Sequence, residues 1–463
     1  MNNCTFSREQ RTGYKSAMLS GSIEMALDFA GKHPQDFTLQ YPPRRQFFQE
    51  SYSVEAPVPS LSHLEELLLY IHIPFCRHRC AYCNFATDNR DDQKLHERYT
   101  SAIEASLILL EKLLHSSCHI SGIDIGGGTP TRLRQDLLIR ILQALNKWSN
   151  FNQINALSIE ASQVDAASDP ELLKAIANNG VGRISLGVQT TSAKRLRRLG
   201  RVGGSDTLTK AYSNVRSAGF PRANADLIFC LPGQSLADWQ EDLDCVLDMG
   251  FDSITTYDCL YRGDDRKIQS SNCALPLPED YGRFYDEAFE RLRLAGYHAT
   301  YGSVNFSKWP EETGTSQYFE GRLLKGKPYI GIGNYASSMI NDLWWFAPHG
   351  VDDWINATEK EKTLPTSNFY RLPLQERMAK YILLTLNFGF IDCKRFLTLF
   401  GLPFESAYAR SIEIALSRNW LTEGGGRFAV AEGKFDKMPE IRALFYSPEA
   451  IQWLSRNVYL RTS

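Results

Sequence analysis

The sequence predicts an α/β fold on a parallel sheet, either curled into a full or partial barrel or laid open and doubly wound, followed by a mostly helical, winged-helix-like region. Three observations point there. Between residues 66 and 262 short apolar runs alternate with longer segments of helical period, the pattern of βαβ units. Polar residues stand at the ends of those runs, where parallel α/β folds gather their ligand sites. After about residue 365 the pattern turns to helices alone, closing on a Gly-rich turn.

In chain order, the first 65 residues show little periodicity. They contain Tyr41-Pro-Pro-Arg-Arg45 and a Pro-rich stretch at 54–60, and read as an arm with one short helix at 21–31, lying over the barrel or a substrate. Strands are expected at 67–74, 120–125, 156–161, 183–188, 225–231 and 253–257, with helices around 93–115, 132–148, 170–179, 205–218 and 235–249. Right-handed crossovers throughout would curl such a sheet, although alternation alone does not report closure. The first strand runs into a cysteine-rich loop and the second into Gly126-Gly-Gly-Thr-Pro130. The third contains Glu160, the fourth ends in Gln189, the fifth holds Asp226 and the sixth ends in Tyr257-Asp258. Helices at 371–387, 391–399 and 404–418 precede Trp420-Leu-Thr-Glu-Gly-Gly-Gly-Arg-Phe-Ala-Val430, two short strands around a glycine turn that resemble a wing. The expected segments are an arm at 1–65, a barrel at 66–262, a barrel extension at 263–365 and a C-terminal domain at 366–463.

The 463 residues carry 51 basic and 53 acidic side chains, a formal net charge of -2, with 43% hydrophobic and 22% charged residues. That composition is globular and lacks a broad lure for nucleic acid or anionic membrane. The N-terminus has no basic-then-apolar leader and no apolar run is long enough to span a bilayer, so a soluble, cytoplasmic protein is expected, with no nucleic-acid or membrane partner. The 10 cysteines are too sparse for a disulfide scaffold. Three of them cluster as Cys76-Arg-His-Arg-Cys80-Ala-Tyr-Cys83 and can wrap one soft metal centre. Zinc with His72 or His78 as a fourth ligand is one reading. A three-cysteine 4Fe-4S cluster with one open iron is the other, and it points to chemistry rather than to a structural staple. Cys230, Cys259 and Cys273, near strand ends or the following loop, are candidate catalytic proton or hydrogen donors, against the plainer reading of buried core thiols.

Tyr70-Ile-His-Ile-Pro-Phe-Cys76, Cys80 and Cys83-Asn-Phe85 resemble the radical S-adenosylmethionine (SAM) enzymes, in the branch of oxygen-independent coproporphyrinogen III dehydrogenase (HemN) and its relatives. Gly126-Gly-Gly-Thr-Pro130, Ser158-Ile-Glu160, Ser185-Leu-Gly-Val-Gln189, Arg198-Leu-Gly-Arg201, Asp226-Leu-Ile-Phe-Cys-Leu-Pro-Gly233 and Tyr329-Ile-Gly-Ile-Gly333 follow in the family's order. The resemblance spans roughly residues 66–335 and implies a partial (β/α)6 TIM-type radical SAM barrel. It implies that Cys76, Cys80 and Cys83 hold a 4Fe-4S cluster whose open iron takes the amino and carboxyl groups of SAM, and that reduction cleaves SAM to methionine and a 5′-deoxyadenosyl radical. Gly127, Gly128 and Thr129 resemble the turn at the SAM amino group. Tyr70, Glu160, Gln189 and Arg201 resemble the rest of that shell, and Phe85 is counted with the cofactor-binding positions. Asp226, Ile330, Gly331 and Ile332 resemble positions that hold a second SAM. An electron donor such as flavodoxin or ferredoxin is implied as a partner.

The departures bear on the reaction. Phe85 stands where the porphyrinogen dehydrogenases carry another cysteine, and Gly314-Thr-Ser-Gln-Tyr-Phe319 lacks the histidine of the heme-chaperone motif. The expected enzyme is a two-SAM, class C methyltransferase or cyclopropanase acting on an sp2 carbon of a planar aromatic, heteroaromatic or tetrapyrrole substrate. Trp344-Trp345-Phe346 offers either a stacking platform for it or interface core. The alternatives are coproporphyrinogen III dehydrogenase and a heme chaperone that retains a SAM site.

Overall fold

The structure is a computed structural model that describes residues 20–37, 41–42, 44–148, 154–259, 276–360 and 363–457. Its strands are β1 (Ser53–Val54), β2 (Glu66–Ile73), β3 (His119–Gly127), β4 (Leu157–Ser162), β5 (Arg183–Gln189), β6 (Arg222–Phe229), β7 (Ser253–Asp258), β8 (Asn305–Ser307), β9 (Tyr329–Ile332), β10 (Ser337–Ile340), β11 (Leu343–Phe346), β12 (Asn368–Arg371), β13 (Phe390–Asp392), β14 (Leu421–Gly424) and β15 (Arg427–Val430).

Strands β2 to β7 lie side by side in chain order, every neighbour parallel. This is the (β/α)6 arrangement expected of a partial barrel. Its strands read as near-continuous apolar runs because both faces are covered, as with Leu67, Leu68, Leu69, Ile71 and Ile73 of β2. The helices between them stop and start on local signals. Asp92 caps helix Gln93–Leu113 by accepting from Lys94 and Leu95 N–H, while Ser235 and Asp238 form a capping box on Leu236–Met249, which ends at left-handed Gly250. The expected strand at 225–231 begins earlier, at Arg222, because the polar Arg222 and Asn224 pair with β5 in the ladder. Short helices at Gln163–Ser168 and Ala193–Arg198 are additions, too brief to show a period.

The sheet continues on both sides. β8 pairs antiparallel to β7, and β9 runs parallel to β2 and is followed by β10, β11, β12 and β1 in antiparallel pairs, which makes a mixed sheet of 12 strands in all. β12 belongs to this sheet, so the sheet extends in sequence to Arg371, ahead of helix Leu374–Thr385. A separate three-stranded sheet of β13, β15 and β14 makes the wing, with Gly425 and Gly426 both at positive φ in its two-residue turn.

Packing places the arm and the aromatic tract. The described part of the arm does not lie over the barrel mouth. Its helix Ser20–Lys32 packs on helices Met438–Ala443 and Pro448–Arg456, and β1 pairs with β12. Tyr41 and Tyr52 hydroxyls both donate to the fully buried Glu376 of helix Leu374–Thr385, clasping the arm to the C-terminal region. Of the two readings of the aromatic tract, Trp344, Trp345 and Phe346 take that of interface core. Trp344 packs edge-on to Phe48 at 5.6 Å, and Trp345 stacks on Phe369 at 5.8 Å. Among the described residues no helix is long and apolar enough to cross a membrane.

Candidate active site

The loop after β2 carries Cys76, Cys80 and Cys83, and the backbone holds it closely. Cys76 N–H donates to Asp88 O at 2.9 Å and Asp88 N–H to Pro74 O at 2.9 Å, so the loop leaves and returns at the end of the strand. Arg201 ties it to the end of β5, donating to the Tyr82 hydroxyl at 2.9 Å and to Gly187 O at 3.1 Å, with Cys80 Sγ 3.8 Å away. Cys76 Sγ lies 3.6 Å from the Thr129 hydroxyl. Burial pushes the Cys76 thiol up to about 11, with the Thr129 hydrogen bond pulling the other way.

The donor set fits an iron-sulfur cluster: three soft thiols in one partly buried loop, beside a guanidinium, none of them in a disulfide. Among the described residues no three His, Cys, Asp or Glu side chains gather as a single metal ion requires. His72 is in any case engaged elsewhere, with Nε2 2.9 Å from Ala86 O, and burial holds its imidazole near 4, in the neutral form.

The glycine turn after β3 packs directly on the cysteine loop. Gly128 N–H donates to Ile73 O at 2.7 Å and Thr129 N–H to Phe75 O at 2.9 Å. Gly127 adopts φ +112°, and a Cβ there would fall inside the His72 ring. Close approach and backbone conformation therefore both demand glycine.

Deeper along the same strands lies a group of buried carboxyls. Gly127 N–H donates to Glu160 Oε2 at 3.2 Å. Burial, and then the charge of Asp226, push Glu160 up to about 8. Asp226 accepts from the Ser185 hydroxyl at 2.8 Å and Asn224 Nδ2 at 2.9 Å, and burial raises it despite Arg183 nearby. Asp124 accepts from Ser316 at 2.8 Å and is pushed up to about 7 by burial, while its Oδ1 has no partner among the described residues. Three buried carboxyls are thus each held above the ordinary range, with Glu160 in electrostatic range of both Asp226 and Asp124.

The fold thus gathers Tyr70, Gly127, Gly128, Thr129, Glu160, Gln189, Arg201 and Asp226 along adjacent strands and their carboxyl ends. Gln189 ends β5 in the left-handed region, at φ 67°, close to Gly187 and Arg201. Gly331 pairs with Tyr70 and shares its face, whereas Ile330 and Ile332 alternate to the other face and are buried. Phe85 points outward, 62% exposed. Cys230 and Cys259 are buried at 1% and 2%, and Cys259 packs with Leu199, Ile228 and Leu231 as a core thiol. Cys273 lies outside the described residues. Asp124, Arg183 and Arg322 were not singled out from the sequence. A charged residue inside an otherwise apolar run is a signal for Asp124 of β3, whereas Arg183 stands at the start of β5 and carries none.

Residues 70–246 match the radical SAM superfamily. The chain is 30% identical over 306 residues to radical S-adenosyl methionine domain-containing protein 1, mitochondrial, of Danio rerio, covering 65% of each chain. That is just under two thirds of the length of that relative. It is 27% identical over 338 residues to the heme chaperone HemW of Bacillus subtilis, covering 72% of this chain and 86% of that one. Among solved structures, coproporphyrinogen III oxidase (HemN) from Escherichia coli superposes with a TM-score of 0.72 at 20% identity, over 88% of this chain and 96% of that one. The last is a likeness of fold.

Proposed function

Because this chain is a HemN-like radical SAM protein, a family that implies a 4Fe-4S cluster and SAM, we propose that it is a two-SAM methyltransferase or cyclopropanase acting on an sp2 carbon of a planar unsaturated substrate. The observation that carries the reading is the pair Glu160 and Asp226, two buried carboxyls in one lumen, each raised by burial and the first also by the second. Two such groups suit two cationic sulfonium ligands better than one. Phe85 supports it from the other side, since this position lacks the additional cysteine of the porphyrinogen dehydrogenases.

In this reading Cys76, Cys80 and Cys83 hold the cluster, with the Arg201 guanidinium 3.8 Å from Cys80 Sγ. When bound, the cluster and SAM supply a 5′-deoxyadenosyl radical, and a second SAM supplies the transferred carbon. Gly127 and Gly128 let the backbone approach the first SAM closely, and Thr129 fixes the turn against Phe75. Glu160, held up to about 8, gives up its proton to the medium as a cation arrives beside it. Ser185 and Asn224 then hold Asp226 in one orientation, so the lumen needs no rearrangement to receive charge.

The test is anaerobic reconstitution with reductant and SAM against a panel of porphyrins and heteroaromatics. Formation of both 5′-deoxyadenosine and S-adenosylhomocysteine is expected on turnover. Deoxyadenosine with product but no S-adenosylhomocysteine would overturn it. A second reading, oxidative decarboxylation of coproporphyrinogen III, is favoured by the HemN likeness over 88% of the chain, and protoporphyrinogen as the product would select it.

A further inference from the structure

Beyond Tyr70 the polar interior continues sideways under β9, β10 and β11. Tyr329, Met339 and Trp344 are cross-strand neighbours in register, so their side chains share one face. Arg322 lies over the Tyr329 ring, its guanidinium carbon 4.5 Å from the centroid, and Lys380 of helix Leu374–Thr385 places its ammonium 4.4 Å from the Trp344 ring. The two cations are near enough that Arg322, after burial itself, is what pulls the Lys380 ammonium down, to about 7.

The side chains here are rich in donors and short of acceptors. Arg322 Nε, the Tyr329 hydroxyl and Trp344 Nε1 are buried with no hydrogen-bond partner among the described residues. Among the described residues Arg322 Nη1 reaches only the Tyr318 hydroxyl, at 3.3 Å, and Lys380 Nζ only Tyr41 O, at 3.4 Å. Neither cation forms an ion pair among the described residues. The carboxyl within electrostatic range of Arg322, Asp124, is bonded to Ser316 instead. Buried donors left unmatched each cost roughly 1–3 kcal/mol, and buried cations more, so such a set persists where an acceptor normally fills it. Ring faces of Tyr329 and Trp344 hold the cations meanwhile, which is a weaker satisfaction than an anion provides.

We propose that Arg322, Lys380, the Tyr329 hydroxyl and the Trp344 indole N–H form a buried anion subsite that receives a carboxylate of the substrate. Arg322 presents a planar fork suited to a bidentate carboxylate, and Lys380 a point charge behind it. Because the subsite adjoins Tyr70 and Gly331 across the Tyr70–Tyr318–Tyr329 contacts, at ring distances of 5.5 and 6.3 Å, it orients a flat substrate from one edge. The inference rests on the reading of this lumen as a substrate chamber and adds that the substrate is a carboxylic acid.

The probe is 1-naphthoate against naphthalene-1-carboxamide, a planar pair differing in charge, titrated calorimetrically into the full chain without SAM and soaked into crystals. The carboxylate is expected to bind at least tenfold more tightly than the amide, with its oxygens on Arg322. Lys380→Met and Arg322→Gln should each remove most of that preference while leaving amide binding unchanged. Equal binding of the two probes, a preference that survives both substitutions, or naphthoate seated elsewhere in the wild-type crystal would overturn the subsite. The readout needs no turnover. A selective subsite in an enzyme that forms no S-adenosylhomocysteine would leave this inference standing and remove the methyl-transfer reading alone.

Discussion

Gly127 N–H donates to Glu160 Oε2 at 3.2 Å, which joins the turn at the end of β3 to the centre of β4. The glycine is placed by its close approach to His72 and the carboxyl by the alternation of its strand. One backbone bond thus couples the cradle of the cysteine loop to the charge in the lumen.

Gly127→Ala should break that coupling. At φ +112° an added Cβ enters the His72 imidazole, so the turn must move or unfold locally. The expected cost is ~2–4 kcal/mol, read by urea unfolding. SAM affinity in equilibrium dialysis should fall more than tenfold.

Glu160 makes stability depend on pH. Its folded carboxyl titrates at about 8, above its ordinary 4.5, so the folded chain holds this proton more tightly than the unfolded one. The stability associated with the proton is fully present below pH 4.5 and is lost as pH rises through 8. The thermal midpoint without SAM should therefore fall between pH 5 and 8, and Glu160→Gln should flatten that slope. SAM binding should strengthen over the same interval in the wild type only.

Single Cys76→Ala, Cys80→Ala and Cys83→Ala variants should each lose the iron-sulfur absorbance and all SAM cleavage. Their far-ultraviolet circular dichroism should match the wild type, because the loop is held by Cys76 N–H, Asp88 and Arg201 rather than by the thiols. Chelation of iron from the wild type should reproduce the loss, and iron with sulfide under reductant should restore it.

The clasp between the arm and the C-terminal region should be measurable as stability. Tyr41→Phe removes one donor to Glu376 and is expected to cost ~1–2 kcal/mol, while Glu376→Ala orphans both Tyr41 and Tyr52 and should cost ~3 kcal/mol. Urea titration followed by tryptophan fluorescence checks both. Neither change should alter iron content, since neither residue touches the cysteine loop.

Much of the barrel was legible because a buried parallel strand and its crossover helix each carry a local period. The runs at 67–74, 120–125 and 253–257 correspond to β2, β3 and β7 within a residue or two. The place of the arm and the choice between the two readings of the Trp344 tract are not legible, for the opposite reason. Their partners, Glu376, Tyr446 and Phe369, lie far away in the chain, and no local pattern announces which surface an aromatic segment will cover. The wing was readable because its turn needs two residues at positive φ, and glycines supplied them. The faces of Ile330, Gly331 and Ile332 were not, since alternation says that neighbours point apart but not which of them points inward.

By itself the sequence determined the parts of this protein whose chemistry is local: three cysteines within one short loop, a glycine turn, and strands whose apolar runs identify them. Only the tertiary structure decided which charges meet. Glu160 and Asp226 come from different strands, and Arg322 and Lys380 from a segment under the barrel and a helix beyond it. Their proton affinities follow from burial and from one another, and both arise only when the chain closes around them.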